Sequence, residues 1–241
     1  MSALQDQVAV ITGASSGIGR ALALGLAAQG ANVCLVGRNL ECLEAVAAAA
    51  QRAGGSARPY RVDLTLDEEV YRLAAQLQDH DRLDILIHCA GAIALGRVES
   101  AAIEDLDRQY RVNLRAPYLL TQALLPRLKR SRGQIVFVNS SAALNARANV
   151  SQYAATKAAL KAVADSLRDE VNAAGVRVLS VYPGRTATPL QAAIHAAEGK
   201  AYDPERLIQP EDVAAAVVSA LNLPRSAEVT EIHLRPMVKA G

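Results

Sequence analysis

Tryptophan is absent from this 241-residue chain, phenylalanine occurs once, and aromatic residues make up only 3%. Most of the 51% apolar content is therefore Ala, Val, Leu and Ile, side chains suited to helices packed closely on a sheet. The three cysteines, Cys34, Cys42 and Cys89, show no C-x-x-C spacing, which argues against a disulfide framework. They read as reduced thiols of a cytoplasmic protein, buried as small apolar groups. The four histidines, His80, His88, His195 and His233, are scattered, and no metal site is expected. Charge of one sign is also missing. The formal net charge is +2 with both signs interspersed, and no basic run is interleaved with aromatics, so no nucleic-acid partner is expected. Charges break every apolar run well before membrane-spanning length. The opening Met1-Ser-Ala-Leu-Gln-Asp6 lacks a charged region followed by an apolar one and does not read as a secretory signal.

What is present is an alternation of strand and helix patterns from end to end. Apolar, β-branched runs predict strands over 8–12, 32–36, 57–62, 83–88, 134–139, 176–182 and 229–235. Helical patterns fall between them, over 17–29, 41–53, 66–80, 101–113, 117–130 and 210–221, with a further one carrying Tyr153 and running to about 174. Thr65-Leu-Asp-Glu68 has the form of a capping box opening the third helix, and Pro210 suits the first turn of the last. Continuously apolar strands separated by helices predict a Rossmann-like, doubly wound parallel α/β sheet of about seven strands, covered on both faces. No linker, composition shift or repeat divides residues 1–241, which read as a single domain.

A glycine-rich turn, Thr12-Gly-Ala-Ser-Ser-Gly-Ile-Gly19, falls where the first strand meets the first helix. Gly13, Gly17 and Gly19 permit a tight turn and close approach to a pyrophosphate, with Ser15, Ser16 and Ile18 between them and the helix N-terminus beyond. The spacing is G-x-x-x-G-x-G, not the common G-x-G-x-x-G. After the second strand, Gly37-Arg38-Asn39 offers no carboxylate for ribose hydroxyls. Arg38 instead supplies a forked cation suited to a 2′-phosphate. This favours NADP(H) over NAD(H).

Tyr153 and Lys157 are spaced i, i+4 on a predicted helix and so share one face. A free phenol titrates near about pH 10, and a neighbouring ammonium lowers that value, fitting Tyr153 to pass a proton to or from a carbonyl compound or its alcohol. The pair meets by chance in many helices. Downstream of a nucleotide turn, with Ser140 thirteen residues before Tyr153, it carries more weight.

These motifs, in this order, resemble the short-chain dehydrogenase/reductase family along almost the whole chain. The resemblance makes Asn113, Ser140, Tyr153 and Lys157 a catalytic tetrad. Tyr153 protonates the carbonyl oxygen, Ser140 steadies that oxygen, Lys157 grips the nicotinamide ribose and tunes Tyr153, and Asn113 holds a water leading to solvent. It implies cofactor contacts at Asp63 and Leu64, Ala90 and Gly91, Pro183 and Gly184, and Thr186 and Thr188. The family's usual Asn-Asn-Ala-Gly stands here as His88-Cys89-Ala90-Gly91, which removes two amides that tie the central strand together. The family's substrate lid corresponds to about residues 186–209, where Leu190, Ala193, Ile194 and Ala197 form an apolar stripe that either closes over a ligand or packs on the body. Arg185 either reaches a cofactor or acidic substrate or faces solvent. The activity implied is NADP(H)-linked reduction of a small to medium ketone, aldehyde or 3-oxoacyl compound, in a homodimer or homotetramer. The alternatives are an NAD-linked alcohol dehydrogenase and a non-catalytic NADPH-binding sensor.

Overall fold

The computed structural model describes residues 4–238. The first three residues of the N-terminal reading, and the last three of the single-domain reading, lie outside them. Seven strands form one sheet, parallel throughout, in the order β3-β2-β1-β4-β5-β6-β7. They are β1 (Val8–Thr12), β2 (Asn32–Gly37), β3 (Ser56–Arg61), β4 (Ile85–His88), β5 (Gln134–Val138), β6 (Arg177–Pro183) and β7 (Glu231–Leu234). The helices are α1 (Gly17–Ala27), α2 (Leu40–Arg52), α3 (Asp67–Gln76), α4 (Ile103–Tyr110), α5 (Ala116–Ser131), α6 (Ser151–Val171), α7 (Pro189–Ala197) and α8 (Pro210–Leu221). Every βαβ crossover thus delivers its strand's carboxyl end to the same edge of the sheet, the edge where α/β proteins of this type place ligands.

Alternating side chains of the strands feed two cores. Ile11, Val33, Leu35 and Ile87 pack with Leu22 and Leu26 of α1, Leu43 of α2 and Val213 and Val217 of α8. Val10, Val36, Leu86 and Phe137 face the other way, against Leu73 of α3, Leu120 and Leu124 of α5 and Leu160 of α6. The small side chains that dominate α1 and α8 let those two helices lie against each other over the first core.

Three expectations about elements need correction. Thr65 does not cap α3. Its hydroxyl and amide both donate to Asp63 Oδ1, at 2.8 and 2.9 Å, and the N-cap position falls to Leu66. The acidic pattern is used instead by Glu69, which accepts from the Asp63 amide at 2.6 Å. That helix also ends sooner than its pattern, at Gln76, followed by a tight turn over Leu77–Asp79. The break expected before Pro117 does not occur. A π-helical turn, Arg111–Arg115, joins α4 to α5, and Pro117, the second residue of α5, follows directly after that widened turn. Finally, Cys34 is buried as expected, but Cys42 is exposed and Cys89 is half-buried; all three are free thiols.

Candidate active site

The glycine turn has the backbone its sequence requires. Gly13 and Gly17 adopt φ +70° and +51°, a region costly for residues with a Cβ. A Cβ on Gly13 would stand 2.8 Å from the Ala90 backbone, and one on Gly17 2.8 Å from the Thr188 methyl group. The turn is therefore clasped between the end of β4 and the start of the lid segment. Thr12, which the sequence reading passed over, fixes the other wall: its Oγ1 accepts from the Cys89 and Ala90 amides at 3.1 and 3.2 Å. Ser16 is the N-cap residue of α1, and Ser15 Oγ lies 3.7 Å from where a Gly37 side chain would begin. Arg38 is exposed beside them and has no protein partner among the described residues. Asp63 is engaged through Oδ1 with Thr65, while Leu64 is buried beneath it. A narrow glycine cradle under a helix N-terminus, flanked by a free guanidinium, fits a dinucleotide carrying an added phosphate.

Ser140 and Tyr153 come together on the far side of this cradle. Ser140 follows β5 and caps a short helical turn by accepting from the Ala142 amide at 3.1 Å, on the side of the Tyr153 phenol. Lys157, one turn along α6, is buried, and its Nζ donates to the Val138 carbonyl at 3.0 Å while lying 5.9 Å from the centre of the Tyr153 ring. Asn139, another residue not singled out from sequence, links the two elements. Its Oδ1 accepts from the Ser140 amide at 2.9 Å, and its Nδ2 donates to the Lys157 carbonyl at 3.1 Å. The signal for it was a polar residue closing an apolar strand.

The electrostatics differ from the sequence expectation. Burial raises the Tyr153 phenol above its ordinary value, against the pull of Ser140, and the Lys157 ammonium donates to the Val138 carbonyl instead of to the phenol. Burial likewise pushes Lys157 itself down to about 8. His88 is driven to about 3, chiefly by burial and then by Lys157, so its ring stays neutral. Burial holds the Cys89 thiol protonated, up to about 12.

Asn113 sits fully buried in the π-helical turn. Its Nδ2 donates to the Ala92 carbonyl at 2.8 Å and to Thr156 Oγ1 at 3.0 Å, and its Oδ1 accepts from the Ala92 amide at 2.8 Å. Both its N–H groups are taken by protein. The side chain therefore pins the segment after Gly91 to α6, and is not free to donate to a water. The doubt about His88-Cys89 is also answered. His88 Nε2 meets Thr121 Oγ1 at 2.8 Å and the ring stacks on Phe137 at 5.0 Å, so β4 is tied to α5 and β5 by an imidazole instead of by amides.

At the end of β6, Pro183 is buried; beyond it Gly184 is half-buried, and Thr186 Oγ1 donates to the Gly184 carbonyl at 3.1 Å. Thr188 caps α7 by accepting from the Gln191 amide at 3.1 Å. The stripe does not pack on the body: Leu190, Ala193 and Ala197 are exposed and Ile194 half-buried, while α7 turns Gln191 and His195 inward. Arg185 neither faces solvent freely nor reaches across the cradle; it pairs with Glu198.

A family model described as short chain dehydrogenase matches residues 7–199. The chain belongs to the short-chain dehydrogenase/reductase family. As a family member it is an oxidoreductase. An uncharacterized oxidoreductase of Staphylococcus epidermidis is 34% identical over 98% of this chain and 100% of its own length. One from Staphylococcus aureus is 35% identical with the same coverage. Among solved structures, an alcohol dehydrogenase of the archaeon Thermococcus sibiricus complexed with 5-hydroxy-NADP superposes with a TM-score of 0.90 at 28% identity, covering 98% of this chain and 99% of that one. A metagenomic short-chain oxidoreductase in complex with NADP gives 0.85 at 33%, covering 99% and 100%. Among the described residues no helix is long and apolar enough to cross a membrane, and no cluster of His, Cys, Asp or Glu could hold a metal ion.

Proposed function

We propose that this oxidoreductase uses NADP(H), in preference to NAD(H), to reduce a small to medium carbonyl compound to its alcohol, with Tyr153 as the proton donor. The reading rests above all on one observation: Tyr153, Ser140 and Lys157 share the carboxyl edge of the sheet with the glycine cradle and a partnerless Arg38. The bound nicotinamide would supply the hydride. The residues of the chain do the rest. Gly13, Gly17 and Gly19 admit the pyrophosphate, and Arg38 pairs with the 2′-phosphate. Asp63, Leu64, Ala90, Gly91 and Thr188 border the cofactor. Tyr153, kept protonated by burial, gives its proton to the carbonyl oxygen as negative charge develops there, and Ser140 hydrogen-bonds the same oxygen. Lys157 supplies positive charge beneath them. NADP and 5-hydroxy-NADP in the two similar solved structures support the cofactor choice. Ile103, Tyr110 and Tyr118, exposed along the continuous helix from α4 to α5, support assembly as a homodimer or homotetramer. We place the protein in the cytoplasm, consistent with three free thiols.

The cofactor part is tested with Arg38→Asp. NADPH affinity, read by titrating the nicotinamide fluorescence, should fall about 10–100-fold, the loss of a charge-assisted phosphate contact. NADH affinity should change little. An unchanged NADPH-to-NADH affinity ratio would show that Arg38 does not read the phosphate.

A further inference from the structure

The end of β2, where a doubly wound sheet meets the ribose of a dinucleotide, is bordered here by a second strand end. β3 pairs with β2 in parallel, placing Leu35 opposite Pro59, Val36 opposite Tyr60 and Gly37 opposite Arg61. One further bond, from the Val62 amide to the Gly37 carbonyl at 2.9 Å, holds the two ends level. Arg61 is therefore the lateral neighbour of Gly37, across a strand spacing of about 4.8 Å.

Side chains alternate between the faces of a strand, and the two cores fix which face Arg61 takes. Val36 and Tyr60 are both buried in the core against α3 and α5. Leu35 and Ala57 pack in the other core, beneath α1 and α2. Gly37 and Arg61 share that second face. A Cβ on Gly37 would stand 3.4 Å from Leu43 of α2 and 3.7 Å from Ser15 Oγ of the glycine cradle. Arg61 thus starts one strand outward from the space that Gly37 leaves open beside Ser15. An extended arginine side chain is longer than that interval.

Arg61 is exposed, and among the described residues it has no hydrogen-bond, ion-pair or ring partner. The same holds for Arg38, which follows Gly37 directly. The other charges near β3 are committed elsewhere. Arg58, on the opposite face, lies over the Tyr60 ring at 5.2 Å. Asp63 accepts from Thr65, Glu69 accepts from the Asp63 amide, and Asp67 pairs with Arg115. Glu41, in the first turn of α2, is exposed and forms an ion pair with neither arginine. Two guanidinium groups on adjoining strand ends, with no carboxylate between them, repel each other. A phosphate dianion seated between them turns that repulsion into attraction.

We propose that Arg61 is a second cation for the 2′-phosphate of NADP(H), placed across Gly37 from the glycine cradle, and that it determines cofactor choice jointly with Arg38. The inference rests on the NADP(H) reading given above and adds to it a residue outside the cofactor motifs. The strand order β3-β2-β1 puts Arg61 on one flank of the Gly37 space and Ser15, at the end of β1, on the other.

The test measures binding, so that it does not depend on turnover. NADPH and NADH are titrated by nicotinamide fluorescence into the wild type, Arg61→Gln, Arg61→Glu and the double variant Arg38→Gln/Arg61→Gln. The quantity read is the ratio of the two dissociation constants. Loss of folded protein cancels in that ratio, because both cofactors meet the same sample. Arg61→Gln should lower NADPH affinity about tenfold, the lower end for a charge-assisted contact at an exposed site, and leave NADH affinity within about twofold. Arg61→Glu, which reverses the charge, should lower NADPH affinity further. The double variant should bind the two cofactors alike. An unchanged ratio in Arg61→Gln and Arg61→Glu, or an equal loss for NADH, overturns the inference and leaves the NADP(H) reading standing. A wild type that does not prefer NADPH overturns the reading itself before any substitution is made, so the two fail separately.

Discussion

In the proposed reduction, Tyr153 acts as an acid whose phenol is raised by burial. With the phenol raised and Lys157 at about 8, the pair at neutral pH is a neutral acid beside a cation, the state needed to deliver a proton to a carbonyl oxygen. Tyr153→Phe should lower the reduction rate by about 10²–10⁴-fold while leaving NADPH affinity in place. Steady-state rates and cofactor titration check both halves, and a variant retaining most of its activity would remove Tyr153 from the mechanism. The pH profile follows from the same pair. Lys157 carries its charge below about pH 8 and loses it above, while Tyr153 keeps its proton throughout that range. The value of kcat/KM for reduction should therefore be level below about 8 and decline above it. His88, neutral down to about 3, adds no second limb. A rate that climbs through pH 8 would contradict this assignment. Tyr153, Lys157 and the glycines were legible in the sequence because their spacing is local. The direction of the Lys157 ammonium was not, because it is set by Val138, at the end of β5 and distant in sequence.

Among the elements, the end of β4 shows how a substituted motif is stabilised from a distance. His88 lies between Thr12 and Phe137 in the register of β1, β4 and β5, and its ring is buried with Nε2 on Thr121 and Nδ1 without a partner. Thr121→Val would leave both nitrogens unpaired. The expected cost is about 1–3 kcal/mol, and for a domain of this size each kcal/mol lowers the Tm by about 2–4 °C. An unchanged Tm would mean that the Thr121 contact is not what holds the imidazole. Nothing in the sequence near His88 points to Thr121, so only its departure from the usual asparagine could be read. The sequence leaves the packing of the lid helix open for a related reason. Its periodicity identified the apolar face, but which face turns inward was decided by Arg185 and Glu198 closing on His195. The π-helical turn joining α4 to α5 was hidden as well, because Pro117 resembles a break unless the preceding turn widens to receive it.

For the whole molecule, a parallel sheet of about seven strands covered on both faces followed from the apolar runs, whereas the strand order did not, because it is set by pairing between segments distant in the chain. That frame brings to one edge a cradle for a dinucleotide and an acid beside a cation. The central claim of the proposed function is that these parts reduce a small to medium carbonyl compound at the expense of NADPH. It is tested most directly by following absorbance of the reduced nicotinamide with matched NADPH and NADH against a panel of neutral ketones, aldehydes, diketones and 3-oxoacyl thioesters. The account predicts turnover with NADPH on at least one member, slower turnover with NADH, and turnover about 10²–10⁴-fold slower from Tyr153→Phe. Tight NADPH binding with no oxidation across the panel, or equal rates with the two cofactors, would contradict it.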